Sequence, residues 1–324
     1  MRAALCPSYG DPEVVRVEDV AEPQLQAGEV RVHVRAAAVN FPDVLIVADK
    51  YQISAPTPFV PGSEFAGEVV EVAGDVRDIA VGDRVFGAGM VGAFAEETAV
   101  AAAGVTRVPD GVDDAHAAAF GIAHRTAYHT LRSVARLQPR EELVVLGAGG
   151  GVGLATVQLG AVLGATVTAV ASSQEKLDVA RACGATRLVN HRAGDLRAAL
   201  RDALPNGGDV VVDPVGGELA EPALRCLRWA GRFVTVGYAS GAIPRIPLNL
   251  VLLKGVQIVG FEFGAFGRYA AQEMVRNDAE LLDLLASGRA TPHIGARFPL
   301  DDTAAALRYV ADGRAIGKVV LEIS

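Results

Sequence analysis

Along the first hundred residues, apolar and polar positions alternate in short runs broken by glycine and proline. Val30-Arg31-Val32-His33-Val34 has the period-two pattern of a strand with one buried face. Phe65 to Val72 is another apolar run, and Gly82-Asp83-Arg84-Val85-Phe86 reads as a turn entering a strand. From about Asp113 the spacing becomes helical, through 115–120 and 126–136. Short apolar runs then recur with helical stretches between them: 143–146, 166–171, 188–191, 209–213, 232–236 and 257–260. Parallel strands covered on both faces look like this, and six of them predict an α/β fold, a doubly wound parallel sheet. After Gly264 a long helix, a short strand near 296–298, a helix from Asp302 and a strand over 318–322 remain. They are too few for a domain of their own and are expected to return to the first. No internal repeat or low-complexity linker interrupts the chain.

The junction after the first of these six strands carries the most chemistry. Leu143-Val144-Val145-Leu146 runs into Gly147-Ala148-Gly149-Gly150-Gly151-Val152-Gly153, followed by an uncharged helical stretch to Leu163. A strand turning on glycines into a helix aims backbone N–H groups and the positive end of the helix dipole at one point, which suits a pyrophosphate. The strict pattern is Ala148-x-Gly150-x-x-Gly153, with alanine in the first glycine position of the dinucleotide fingerprint. About 20 residues on, an NAD-preferring unit places Asp or Glu on the ribose 2′-hydroxyl. Here that slot falls on Ser172 or Ser173, with Lys176 next and His191 and Arg192 at the end of the third strand. Two hydroxyls and two or more cations around one ribose predict NADPH. The plainer reading is that Ser172-Ser173 caps a helix and Lys176 lies in solvent, and Glu175 is the one anion nearby. Three further strand ends carry loops suited to a flat cofactor: Asp213-Pro214-Val215-Gly216-Gly217, Gly237-Tyr238-Ala239 and Phe261-Glu262-Phe263. Ordinary turns would use the same glycines.

Composition narrows the partners. A chain of 324 residues holds two domains of ordinary size. Its net charge of −8 argues against broad nucleic-acid or anionic-membrane binding. Cys6, Cys183 and Cys226 are widely spaced, as reduced cytosolic thiols are, and make no metal motif. The first residues lack the apolar core of a signal peptide, so a cytoplasmic protein is expected. Residues 143–174 contain no charge, enough to span a bilayer, but seven glycines and Gln158 divide the stretch into strand, turn, helix and strand. No membrane span is expected. The last strand of the sheet, 257–260, would be an open edge, and pairing it with a second copy predicts a homodimer.

Taken in order, Asn40-Phe41-Pro42-Asp43, Val60-Pro61-Gly62-Ser63-Glu64-Phe65-Ala66-Gly67, Gly82-Asp83-Arg84-Val85, Thr126-Ala127-Tyr128, Gly150-Gly151-Val152-Gly153, Asp213-Pro214-Val215-Gly216-Gly217 and Gly317-Lys318-Val319-Val320 form an ordered set. The set resembles the zinc-independent, zeta-crystallin-like quinone oxidoreductase branch of the medium-chain dehydrogenase/reductase superfamily, over nearly the whole chain. The resemblance implies a GroES-like, mostly β substrate domain (1–120 plus 265–324) with a Rossmann NADPH-binding domain (121–264) inserted, and an active site in the cleft between them. It implies that Asn40, Tyr51 and Thr126 line the nicotinamide end. Ser173, Lys176 and His191 fall where the family holds the 2′-phosphate, His191 in place of a common tyrosine. Lys318 falls in the family's closing motif near the cofactor; it is one of four lysines in the chain.

Zinc relatives carry a cysteine in the loop that here reads Asn40-Phe41-Pro42-Asp43 and a histidine where this chain has Ser63. A structural zinc needs four close cysteines, and 86–112 contains none. No metal site is therefore expected. Without that Lewis acid, and with no evident Ser–His–acid or carboxylate-pair arrangement, a hydride acceptor needing little acid catalysis fits: a quinone or similar conjugated carbonyl, with NADPH as donor and water a possible source of the second proton. Tyr51 is either a proton donor or polar contact to the acceptor, or an ordinary packed tyrosine. An NADPH-dependent enone or enoyl-thioester reductase would use the same residues, and a non-catalytic nucleotide-responsive binding protein is a third reading. Arg125 is expected to face solvent, the alternative being a cation beside the pocket. Phe261, Phe263 and Phe266 form an aromatic wall, ordinary buried packing or a subunit interface.

Overall fold

Short β-branched runs in the first hundred residues pair mainly antiparallel, while the apolar runs after residue 140 pair in parallel. The computed structural model describes residues 1–323. The chain divides into two compact units, one of Met1–Ile122 with the segment from Thr291 onward, the other of Ala123–Ala290. In chain order the first unit holds β1 (Arg2–Leu5), β2 (Arg16–Asp19), β3 (Glu29–Val39), helix α1 (Phe41–Val47), β4 (Glu64–Val72), β5 (Arg84–Ala88), β6 (Glu97–Ala101), β7 (Val105–Arg107) and the start of helix α2 (Asp114–His129). The second holds β8 (Glu142–Leu146), α3 (Gly151–Val162), β9 (Thr166–Ala171), α4 (Gln174–Ala182), β10 (Arg187–Asn190), α5 (Leu196–Ala203), β11 (Gly208–Asp213), α6 (Ala220–Arg225), β12 (Leu227–Thr235), α7 (Leu248–Lys254), β13 (Gln257–Gly260), α8 (Phe263–Tyr269) and α9 (Ala271–Ala286). The first unit is completed by β14 (Ile294–Pro299), α10 (Thr303–Ala311) and β15 (Lys318–Glu322).

In the second unit six parallel strands lie in the order β10-β9-β8-β11-β12-β13. The order reverses between β8 and β11, and ligands of such sheets bind at that switch point, outside the carboxyl ends of the strands. Val144, Leu146, Val211 and Phe233 are buried at its centre among leucines of α5 and α6. Their continuous apolar runs follow from burial on both faces. β13 is an edge, as its position last in the series implies.

The first unit's main sheet runs β14-β15-β3-β4-β5-β7, with β6 also paired to β3. All its pairs are antiparallel except β14 with β15. Register positions the chemistry. Val319 pairs with Val39, and Ala38 pairs with Glu64. The ends of β3, β4 and β15 therefore bring Asn40, Glu64 and Lys318 to one place.

Two expectations change. The helical stretches 115–120 and 126–136 are one helix, α2, which passes through Gly121 and continues into a π-helical turn at Thr130–Val134. An interior glycine costs about 1 kcal/mol, and burial of Ala117, Ala118, Phe120 and Ala123 on the same helix offsets it. Residues 265–290, expected with the first domain, belong to the second unit. Helix α9 joins α2 there through Arg125–Asp278 and Tyr128–Glu280 hydrogen bonds at 2.7–2.8 Å. Among the described residues no helix is long and apolar enough to cross a membrane.

Candidate active site

The turn between β8 and α3 has the geometry of an anion cradle. Gly147 takes φ 60°, and Gly150 caps α3 with no side chain bonded to the first-turn amides. Leu154 N–H is the first to bond back into the helix, to Gly150 O at 2.8 Å. The amides of Gly151, Val152 and Gly153 thus have no intrahelical acceptor, and the helix dipole adds to their pull on a phosphate. Gly153 comes so close to the turn that a Cβ there would sit 2.0 Å from the Gly147 carbonyl oxygen. Ala148 plays a different part from the one expected of it. It is fully buried and its N–H donates to Val170 O at 3.0 Å, so it anchors the turn to β9.

At the end of β9, Ser173 caps α4, its hydroxyl accepting from Lys176 N–H at 3.4 Å. The stem of Lys176 lies over the glycine turn, where a Cβ on Gly149 would be 2.6–2.7 Å from it. Burial and then the Arg192 charge push the Lys176 ammonium below its ordinary value. His191, whose N–H donates to Ala171 O at 3.1 Å, is lowered by burial and then by Arg192 and Lys176. Three cationic or potentially cationic groups held together destabilise one another, and a dianion placed among them would reverse that penalty. Capping and anion-binding are therefore compatible here: Ser173 is engaged in the cap, half-buried Ser172 stands beside it, and Lys176 is partly buried, not solvated.

Asp213, fully buried at the end of β11, folds the next loop by accepting the N–H groups of Val215 and Gly216, each at 2.8 Å. Burial raises its carboxyl above the usual range against those two bonds. Val215 reaches the β8 turn, 2.5 Å from where a Gly147 Cβ would be, and Tyr238 packs on Gly216. Gly237 N–H lies 3.4 Å from Asp213 O. Val215, Gly237 and Tyr238 thus gather at the switch point. Phe261 and Phe263 do not form an open wall. With Phe266 they surround the buried His129 ring at centroid distances of 4.8–6.3 Å. Arg125 does not face solvent; it pairs with Asp278 and lies over the Phe263 ring, 5.0 Å from its centroid. Thr126, beside it on α2, is buried.

The first unit contains a buried polar cluster that sequence reasoning missed. Asn40 Nδ2 donates to Glu64 Oε1 at 2.9 Å, and its Oδ1 accepts from Lys318 Nζ at 2.6 Å. Lys318 Nζ also pairs with Glu64 Oε1 at 2.5 Å. Glu64 Oε2 accepts from Ile122 N–H at 2.7 Å. Asp43 Oδ2 accepts from Asn40 N–H at 2.7 Å, and burial pushes this carboxyl up to about 7. Lys318 is 4% exposed and Glu64 0%. Lys318, expected on the cofactor, has its ammonium engaged with Asn40 and Glu64, and Asn40 has both ends of its amide committed. Tyr51 packs at the rim of the hydrophobic core beneath. The signal that could have found the cluster is local: Asp43 and Glu64 are acids set inside apolar runs, where a carboxyl needs a partner or a proton. Among the described residues no group of three or more His, Cys, Asp or Glu side chains is placed to hold a metal ion.

This architecture matches two family models, an alcohol dehydrogenase GroES-like domain over residues 26–110 and a zinc-binding dehydrogenase over residues 151–282. The chain is 37% identical to quinone oxidoreductase-like protein 2 of Bos taurus, over 99% of this chain and 92% of that one. It belongs to the quinone oxidoreductase branch of the medium-chain dehydrogenase/reductase superfamily. An Escherichia coli quinone oxidoreductase solved in complex with NADPH superimposes with a TM-score of 0.92 at 27% identity, covering 99% of this chain and all of that one. A segment of the polyketide synthase GfsB of Streptomyces halstedii is 37% identical over 92% of this chain, which spans only 5% of that protein. The chain is thus an oxidoreductase of this family, with a GroES-like unit and a Rossmann unit.

Proposed function

We propose that this protein is an NADPH-dependent oxidoreductase that delivers hydride to a quinone or similar conjugated carbonyl without zinc. The carrying observation is the Lys176–His191–Arg192 cluster beyond β9, where an NAD-preferring unit would carry a carboxylate. The NADPH named with the E. coli relative supports the same cofactor. NADPH supplies the hydride when bound. The chain's part is to hold the pyrophosphate on the amides of residues 151–153 and the 2′-phosphate against Lys176 and Arg192. Val215, Gly237 and Tyr238 are proposed to border the nucleotide, and Asn40, Tyr51 and Thr126 to serve the acceptor side. A loop without cysteine at Asn40-Phe41-Pro42-Asp43, and Ser63 where zinc relatives carry a histidine, support a metal-free reaction.

The likeness to a polyketide synthase segment favours one second reading, reduction of an enoyl thioester with the same cofactor. Steady-state NADPH oxidation with a quinone panel beside an enoyl-thioester panel separates them. Quinone turnover is expected; strong thioester turnover with negligible quinone turnover would transfer the assignment.

We also propose a homodimer joined across β13. Its edge is open, and Trp229, Leu248, Leu252, Leu253 and Ile258 around it are exposed, Leu252 at 78%. A second copy would pair the edge and cover this apolar face.

A further inference from the structure

We propose that Asp43 and Ser63 form a proton relay that supplies the proton accompanying hydride transfer, with Asp43 a positioning residue that acts through the Ser63 hydroxyl. The inference rests on the oxidoreductase reading above, and its geometry lies wholly in the first unit. Reduction of a conjugated carbonyl by hydride leaves an oxyanion or enolate that must be protonated. Asp43 is 1% exposed, with Oδ2 committed to the Asn40 N–H. Its Oδ1 is buried without a well-aligned hydrogen bond, although the Ser63 hydroxyl faces the carboxyl closely enough to favour its ionised form. A carboxylate with one orphaned oxygen in the interior is costly, whereas a carboxylic acid can turn that oxygen into a donor.

The charges around it point the same way. The titratable groups facing Asp43 are Glu64 on β4 and Lys318 on β15, which act in opposite directions. Lys318 is paired with Glu64 at 2.5 Å, so the two opposite charges act on Asp43 together and largely offset each other. Burial then dominates, and the carboxyl titrates near neutrality, where a general acid works best.

Ser63 completes the route. Its Oγ accepts from Asn40 Nδ2 at 3.3 Å, and a hydroxyl hydrogen can rotate between acceptors. With Asp43 protonated, the acid O–H can donate to Ser63 Oγ while the Ser63 O–H donates outward. In the step, the Ser63 proton passes to the oxyanion or enolate carbon of the reduced acceptor and the Asp43 proton replaces it on Oγ. Asp43 is left as a carboxylate, which takes a proton back from water through the same hydroxyl. The hydride supplies both electrons, and one proton balances the charge.

The test combines infrared titration of the full-length protein with kinetics of Asp43→Asn and Ser63→Ala. Wild type should show a protonated-carboxyl band that disappears between about pH 6 and 8 and is absent in Asp43→Asn. Both variants should lose about 100-fold in kcat, the low end for a general acid, and lose the pH dependence near neutrality. Their KM for NADPH should stay within about twofold, a split that mere loss of structure would not give. Ser63→Ala should keep the infrared band, which separates the acid from its outlet. No such band, or wild-type kcat and pH profile in both variants, overturns the relay while leaving the oxidoreductase reading standing. A band with no wild-type turnover of any acceptor overturns the delivery step and that reading together.

Discussion

Asp43 ties protonation to folding as well as to chemistry. Its carboxyl sits near 7 in the native state and at about 4 in an unfolded chain. The native state holds the proton more tightly, so this stabilisation is fully present below about pH 4 and is lost as pH rises through about 7. Asp43→Asn, which keeps the shape and the acceptor for Asn40 N–H, should gain stability relative to wild type by about 2–4 kcal/mol on going from pH 4.5 to pH 8. Urea unfolding at the two pH values measures it, and an unchanged difference would place the carboxyl at its ordinary value. At this scale the sequence was legible where function depends on residue type in a local pattern. Lys176 three residues after Ser173 is such a pattern, and its stem lies over the glycine turn. Asn40, Glu64 and Lys318 were legible only as separate motif positions. What joins them is the register of three strands up to 278 residues apart in sequence, and no spacing encodes that.

Among the elements, the β8–α3 turn shows why one glycine has no substitute. The Cβ of Gly153→Ala would press on the Gly147 carbonyl oxygen and push α3 away from the sheet. We expect a destabilisation of about 1–3 kcal/mol and at least a tenfold rise in the dissociation constant for NADPH, read by urea unfolding and nucleotide fluorescence. Wild-type values in both would mean that close approach of helix and strand does not build the cradle. The same six strands were readable from their apolar runs, because parallel strands buried on both faces leave few alternatives. The helical stretches 115–120 and 126–136 join into α2 through Gly121, whose low propensity is overridden by tertiary burial. Helices α8 and α9 were assigned to the other unit because nothing in their own pattern announces Arg125 and Tyr128 as partners of Asp278 and Glu280.

The whole molecule divides its work. One unit carries the glycine turn and the cations proposed to hold a nucleotide, and the other holds a buried polar cluster of Asn40, Glu64 and Lys318. The exposed edge at β13 belongs to this scale too. Light scattering at micromolar protein should give a dimer for wild type, and Leu252→Glu should shift it at least tenfold towards monomer. A wild-type monomer would remove the proposed interface. Cofactor choice also belongs to this scale, because it decides which pool of reductant drives the reaction. Its most direct test is steady-state oxidation of NADPH and NADH by wild type and Lys176→Ala. A charge-assisted contact worth about 1.5–3 kcal/mol predicts a 10- to 100-fold rise in KM for NADPH, with KM for NADH changed by less than about threefold. Equal effects on both nucleotides, or a wild-type enzyme that prefers NADH, would contradict it.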